Sequence, residues 1–272
     1  MNSPDQGAKE IPITSTNFEN SVIKFDLSDR KIEYTGTLNK DNKFIGTFNQ
    51  GVHALPMELS RREIEKEKLI RPQEPVEPYS YYTEEVQFEN KKDNITLAGT
   101  LTLPKKEGNY PVVVLISGSG PQNRDKELLG HKPFLVLADH LTKNGIGVLR
   151  FDDRGVAASK GDFKTATSLD FASDVESAVK YLQTRKGINQ KKIGLIGHSE
   201  GGIIAPMVAA KSKGISFIVL LAGPGISLNE LLLLQEEVIG RSSGTSEYDK
   251  IEQTFSPLAM TEISNWILKH TK

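Results

Sequence analysis

Lys192-Ile193-Gly194-Leu195-Ile196-Gly197-His198-Ser199-Glu200-Gly201-Gly202 is the stretch on which the reading of this chain turns. Its opening is a short apolar run of strand length. The next five residues fit G-x-S-x-G, and Gly201 to Lys211 then reads as a helix. A five-residue match is weak alone, because a glycine-rich turn can hold an incidental serine. The strand–turn–helix context strengthens it. A serine on such a turn is held in a strained backbone geometry, with its hydroxyl lifted above the sheet. The flanking glycines leave room for the turn, and the helix presents its positive end to developing negative charge. Ser199 is the candidate nucleophile.

Outward from this point the chain alternates strand and helix. On the N-terminal side, Val112 to Ile116 is a continuous apolar run, as expected of a strand buried on both faces. Pro133 to Lys143 reads as an amphipathic helix stopped by Asn144-Gly145, and Ile146 to Phe151 as another buried strand. Ser168 is placed to cap a helix running through Phe171, Val175, Val179 and Leu182. Tyr82 to Phe88 and Ile95 to Leu103 form a strand pair ahead of these. On the C-terminal side, Ile215 to Ala222 is the next strand; Leu228 to Ile239 and Thr261 to Lys269 are helical. This order predicts an α/β fold with a mostly parallel sheet.

Further towards the N-terminus the period changes to two. Val22 to Leu27, Lys31 to Leu38, Phe44 to Phe48 and Leu55 to Leu59 predict four short antiparallel strands. Arg61 to Leu69 is charged and helix-forming. Arg71 to Pro78 carries three prolines, which block helix and interior strand alike, so it reads as a semi-rigid linker. The expected organisation is a small antiparallel β-domain over 1–70, a linker over 71–78, an α/β core over 79–226 and a helical lid region over 227–272.

Composition narrows the function classes. The 272 residues carry 37% hydrophobic and 25% charged side chains, a soluble globular balance. A net charge of −1 gives no global field favouring nucleic acid or anionic lipid. The most apolar run, Ile215 to Ala222, is too short to span a bilayer. With no cysteine, disulfides, a cysteine nucleophile and thiolate metal sites are excluded. No histidine pair has metal-ligand spacing and no phosphate-binding G-x-x-x-x-G-K-[ST] occurs, so neither metal nor cofactor is expected. The first residues have no basic region followed by an apolar one, so no signal peptide is read there, and the compartment stays open.

Four ordered stretches resemble the α/β-hydrolase superfamily, and within it a bacterial group of serine esterases with an N-terminal β-domain. They are Ser117 to Asp125, Arg150 to Gly155, Gly197 to Gly202 and Leu221 to Gly225; Gly46 to Gly51 resembles the attached β-domain. The resemblance covers roughly Tyr79 to the C-terminus, and the order of the stretches makes it specific. It implies Ser199 as nucleophile and the backbone N–H of Glu200 as one oxyanion donor. The second donor would come from the loop after Ile116, where Ser119 is the choice. That loop often begins His-Gly in the family and begins Ser117-Gly118 here; backbone donors survive the change. Arg124, Asp125, Asp153 and Arg154 are candidate site-shaping residues, with an ion-paired loop anchor as the plainer reading of the Asp152-Asp153-Arg154 cluster. His198 reads as a packing residue pointing away from the nucleophile.

The base is not evident. In the superfamily the acid and then the histidine follow the serine in the chain. Downstream of Ser199 there is one aspartate, Asp249, and one histidine, His270, neither after a convincing strand. The expectation is a chain truncated at both ends, with the acid and histidine outside it. The expected substrate is a small-molecule ester, hydrolysed through an acyl-enzyme, with peptidase or lipase chemistry open on the same fold. Two alternatives stand beside it: a non-catalytic hydrolase-like binding or assembly module, and a split enzyme completed by another chain. Self-association through an unpaired sheet edge is a related expectation.

Overall fold

A computed structural model describes residues 11–28, 31–51, 53–61, 70–226, 230, 231, 233, 234 and 253–271. The chain divides into two compact units, Met1–Lys68 and Leu69–Lys272. Two expectations fall largely outside the described residues: the charged helix over 61–69 and much of the helix over 228–239.

Unit 1 holds five strands: β1 (Ser15–Glu19), β2 (Val22–Leu27), β3 (Ile32–Leu38), β4 (Phe44–Gln50) and β5 (His53–Leu59). They form an antiparallel meander in chain order. β1 is the strand the sequence reading lacked. Its residues, Ser-Thr-Asn-Phe-Glu, are exposed and carry no alternation, so their pairing with β2 comes from the tight turn at Asn20-Ser21. The apolar cluster is small: Ile11, Leu27 and Ile32, with Phe48 against them.

Unit 2 is a six-stranded sheet in the order β11-β10-β8-β9-β7-β6. Its strands are β6 (Tyr82–Asn90), β7 (Ile95–Leu103), β8 (Tyr110–Ile116), β9 (Gly147–Phe151), β10 (Ile188–His198) and β11 (Phe217–Leu221). β8 to β11 run parallel; β7 runs antiparallel to both β6 and β9. Among the described residues the helices α1 (Pro133–Lys143), α2 (Ser168–Gln183), α3 (Gly201–Lys211) and α4 (Pro257–His270) flank it. The continuous apolar run of β8 is explained by two faces. Val112, Val114 and Ile116 join the cluster under α2 and α3. Val113 and Leu115 join the cluster under α1 and α4.

Two local details differ from the sequence reading. The N-cap of α2 is Thr167, not Ser168. Asp170 accepts from the Thr167 N–H at 2.8 Å and from its hydroxyl at 2.7 Å, which fixes the helix start one residue earlier. Ser168 instead donates to Glu200 at 2.6 Å. α4, assigned from sequence to the lid region, packs Met260, Ile263 and Ile267 into the cluster against α1 and the sheet. The segment before it is tied down. Gln73 pairs with both backbone groups of Phe255 at 2.6 and 2.8 Å, and the His131 ring meets the Thr254 hydroxyl at 2.9 Å. The proline-rich stretch 71–78 is thus held along unit 2 by Gln73, and also by Arg71, which donates to Gly130 O at 3.2 Å.

Candidate active site

Parallel strands bring their carboxyl ends to one rim, and ligand sites in open α/β sheets form outside that rim. Register places Gly197 of β10 beside Ile116 of β8, and His198 beside Leu221 of β11. The loops that follow β8, β9 and β10 therefore leave the sheet side by side.

Ser199 leaves β10 with a φ of +54°. For a residue with a Cβ this is a strained backbone, costing about 1–3 kcal/mol, and it persists only where the surroundings impose it. They do so here. The Ser199 N–H donates to Leu221 O at 3.0 Å, and its carbonyl accepts from Gly202 N–H at 2.8 Å. The turn is tight enough that a Cβ on Gly197 would lie 2.0 Å from Gly201 O, so only glycine fits at 197. α3 begins at Gly201, immediately beyond Glu200.

The loop after β8 lies against this turn. A Cβ on Gly118 would come within 3.1 Å of Ser199 Cβ and 3.4 Å of His198 Nδ1. The Ser119 and Glu200 N–H groups have no acceptor among the described residues. His198, read from sequence as a packing residue pointing away from the nucleophile, lies against this loop. Its ring flanks Gly118, and Nδ1 is buried with no hydrogen-bond partner among the described residues. Burial, with the Lys126 charge adding to it, lowers the His198 pKa to about 4, so the ring is neutral at neutral pH. Among the described residues no group hydrogen-bonds the Ser199 hydroxyl.

His270 sits elsewhere. Its ring stacks on Trp266 and meets the Trp266 carbonyl at 2.8 Å. Trp266 packs edge-on against Phe217, at the opposite end of β11 from Leu221. Four residues of strand, about 13 Å, separate those ends. Asp249 lies outside the described residues.

The polar cluster resolves into separate roles. Arg124 grips Asp152 from its backbone N–H, Nε and Nη2 at 2.8, 3.1 and 2.8 Å, and reaches Glu85 and Thr100 with Nη1. Burial alone would raise the Asp152 carboxyl, but Arg124 outweighs it and holds it below the usual carboxylate range. Asp125 pairs with Arg150. Arg154 bridges Asp174 and Asp93, each at 2.7 Å, and so ties the loop after β9 to α2 and the β6–β7 turn. Three of the four candidate site-shaping residues are thus engaged in anchoring pairs. Asp153 differs. It accepts from the Ser117 hydroxyl at 2.7 Å and from Gln122 N–H at 3.0 Å, on the loop beside Ser199. The sequence reading missed Ser117 and Gln122 as its partners. Across a sequence separation of 36, nothing between Ser117 and Asp153 signals that contact. Among the described residues no group of three acidic, histidine or cysteine side chains could hold a metal ion. No described helix is long and apolar enough to cross a membrane.

With this geometry in view, similarity to known proteins becomes informative. Residues 174–266, which include the Ser199 turn, match the family described as BAAT / Acyl-CoA thioester hydrolase C terminal. Esterase EstD of Thermotoga maritima is 28% identical over 214 residues, 78% of this chain and 46% of EstD. A putative carboxymethylenebutenolidase of Synechocystis is 27% identical over 123 residues, 43% of this chain and 50% of that protein. A structure of the Pyrococcus furiosus esterase Pf2001 superposes with a TM-score of 0.51 at 23% identity, covering 64% of this chain and 63% of that one. The chain has the fold of the α/β-hydrolases and is similar to esterases. The chain spans about half the length of the curated relatives it matches. The Pf2001 likeness speaks for the fold alone.

Proposed function

We propose that Ser199 is the nucleophile of a carboxylic-ester hydrolase that works through an acyl-enzyme. The observation that carries the reading is the φ of +54° at Ser199, on a turn packed against Gly118 and followed by α3. In this reading Ser199 Oγ attacks the ester carbonyl while a base takes its proton. The carbonyl oxygen becomes an oxyanion received by the N–H groups of Ser119 and Glu200. The tetrahedral intermediate then expels the alcohol, and water repeats the sequence on the acyl-enzyme. Such donors act in the transition state, and one is worth about 2.7–4 kcal/mol. No cofactor enters. The substrate is a small ester; the thioester named in the matching family's description is the neighbouring chemistry, with the same carbonyl and a better leaving group.

The base and its acid are proposed to come from outside the described residues. A serine hydroxyl without a base is a poor nucleophile. An unpartnered hydroxyl therefore also favours a second reading, in which this chain alone is a binding module or is completed by another polypeptide. Fluorophosphonate labelling and p-nitrophenyl acetate turnover separate the two. Protein from the complete reading frame should be labelled rapidly and only at Ser199, and this chain alone slowly or not at all. Absence of labelling in the longer protein would refute the nucleophile; strong Ser199-dependent turnover by this chain would refute the external base.

A further inference from the structure

The loop that would present the Ser119 N–H leaves β8 at Ser117 and is bound again at Gln122. One carboxylate holds both points. Asp153 Oδ1 accepts from the Ser117 hydroxyl at 2.7 Å, and Oδ2 accepts from Gln122 N–H at 3.0 Å. Asp153's own N–H donates to Gln122 O at 3.1 Å, so Gln122 is bound through both of its backbone groups. Gly118, Ser119, Gly120 and Pro121 lie between the two points. Gly118 is the residue that touches Ser199, and Gly120 turns the chain back with a φ of +89°.

We propose that Asp153 is a positioning residue: its two-ended grip on Ser117 and Gln122 sets the direction of the Ser119 N–H relative to Ser199. The inference rests on the proposed role of Ser199. The carboxylate is an expensive way to make a structural contact. Asp153 is 7% exposed and has no salt bridge among the described residues. Arg124 is engaged by neighbouring Asp152, and Arg154 by Asp174. The titratable groups that share the Asp153 cavity are acidic: Asp174 of α2 and Glu200 of the serine turn line the same space of about 20 Å³. Burial pushes the Asp153 carboxyl up to about 7, against the two hydrogen bonds, with Asp174 and Asp152 adding to the rise. A buried carboxylate without a counter-charge is costly unless its hydrogen bonds are all made. These two bonds go to the ends of the loop beside the nucleophile.

The grip needs two hydrogen-bonding atoms in the right place, not a charge. A neutral carboxyl or an amide can donate to Ser117 Oγ and still accept from Gln122 N–H. This predicts an order among variants of the protein from the complete reading frame. Asp153→Ala should lower kcat for a p-nitrophenyl ester by about 10–100-fold, as expected when a catalytic donor is displaced by about 1 Å, with KM little changed. Ser117→Ala, which frees one end, should fall between Asp153→Ala and wild type. Asp153→Asn should restore kcat to within a few-fold. In this chain itself, the Gln122 amide resonance should titrate near pH 7 in wild type and be flat in Asp153→Asn. An Asp153→Ala enzyme with wild-type kcat overturns the proposal. So does Asp153→Asn as slow as Asp153→Ala, or a Gln122 amide resonance at the same shift in wild type and Asp153→Ala. If Asp153→Ala does not fold, Ser117→Ala decides: wild-type kcat with an unmoved Ser119 amide resonance overturns it. Failure of Ser199 labelling in wild type is a different result. It removes the proposed function while the amide titration still reports on the grip.

Discussion

The loops after β8 and β9 leave neighbouring parallel strands at the same rim, yet they are built in opposite ways. The loop after β9 is closed by charge: Arg124 covers Asp152, and Arg154 joins Asp174 and Asp93. The loop after β8 opens with the small residues Ser117 to Gly120, ahead of its ion-paired Arg124 and Asp125, and there the Ser119 N–H has no acceptor among the described residues. A saturated polar cluster holds the backbone in place; an unsatisfied donor beside a strained serine is available to a ligand. The difference separates anchor from site more sharply than proximity does. Asp153 belongs to the first loop by sequence and to the second by its bonds.

Arg154→Ala tests the anchor. It leaves Asp174, whose side chain is 2% exposed, without its cation. Breaking a buried pair from one side costs about 3–5 kcal/mol, so a large drop in Tm is expected, with Ser199 labelling per folded molecule little altered. Gly118→Val tests the site. The new side chain must displace Ser199 or the loop, and Ser199 labelling should slow by about 100-fold, the scale of losing one oxyanion donor. A Gly118→Val enzyme at the wild-type rate would erase the contrast between the loops.

The two adjacent aspartates should differ in the sign of their pH dependence. Asp152 has a folded pKa below its unfolded value. Its contribution to stability is present above that unfolded value and is lost as pH falls through the lower folded one. Asp153 has a folded pKa raised to about 7. Between the unfolded value and 7 the folded state binds more protons, so this group makes stability fall as pH rises through that window. Urea melts from pH 4 to 8 should show Asp153→Asn flattening that fall. Asp152→Asn should instead lose stability most at neutral pH. The smallest effect is remote from both loops. Thr167→Ala removes the capping hydroxyl of α2 at a cost of about 1 kcal/mol, read as a modest Tm shift with unchanged labelling.

Much of the core was legible because its sequence obeys one constraint at a time. The run Val112 to Ile116 is apolar throughout since alternate residues enter opposite clusters. Pro133 starts α1 and Asn144 ends it, where the sequence placed them. The serine turn was legible because its geometry demands glycine at fixed offsets. β1 was not, since its pairing with β2 leaves no apolar alternation. The grip of Asp153 on Ser117 was not, because the Asp152-Asp153-Arg154 cluster gives each acid the same local sequence and only the fold assigns their partners. The packing of α4 against α1 was not, since an amphipathic helix does not name the surface it covers.

In the proposed mechanism two amide donors converge on the oxygen of a group bound to Ser199. A crystal structure of the phosphonate adduct tests it directly. The expected result is a phosphoryl oxygen within about 2.7–3.1 Å of both Ser119 N and Glu200 N. An adduct whose oxygen points to solvent or to other donors, or no adduct at Ser199, would contradict it.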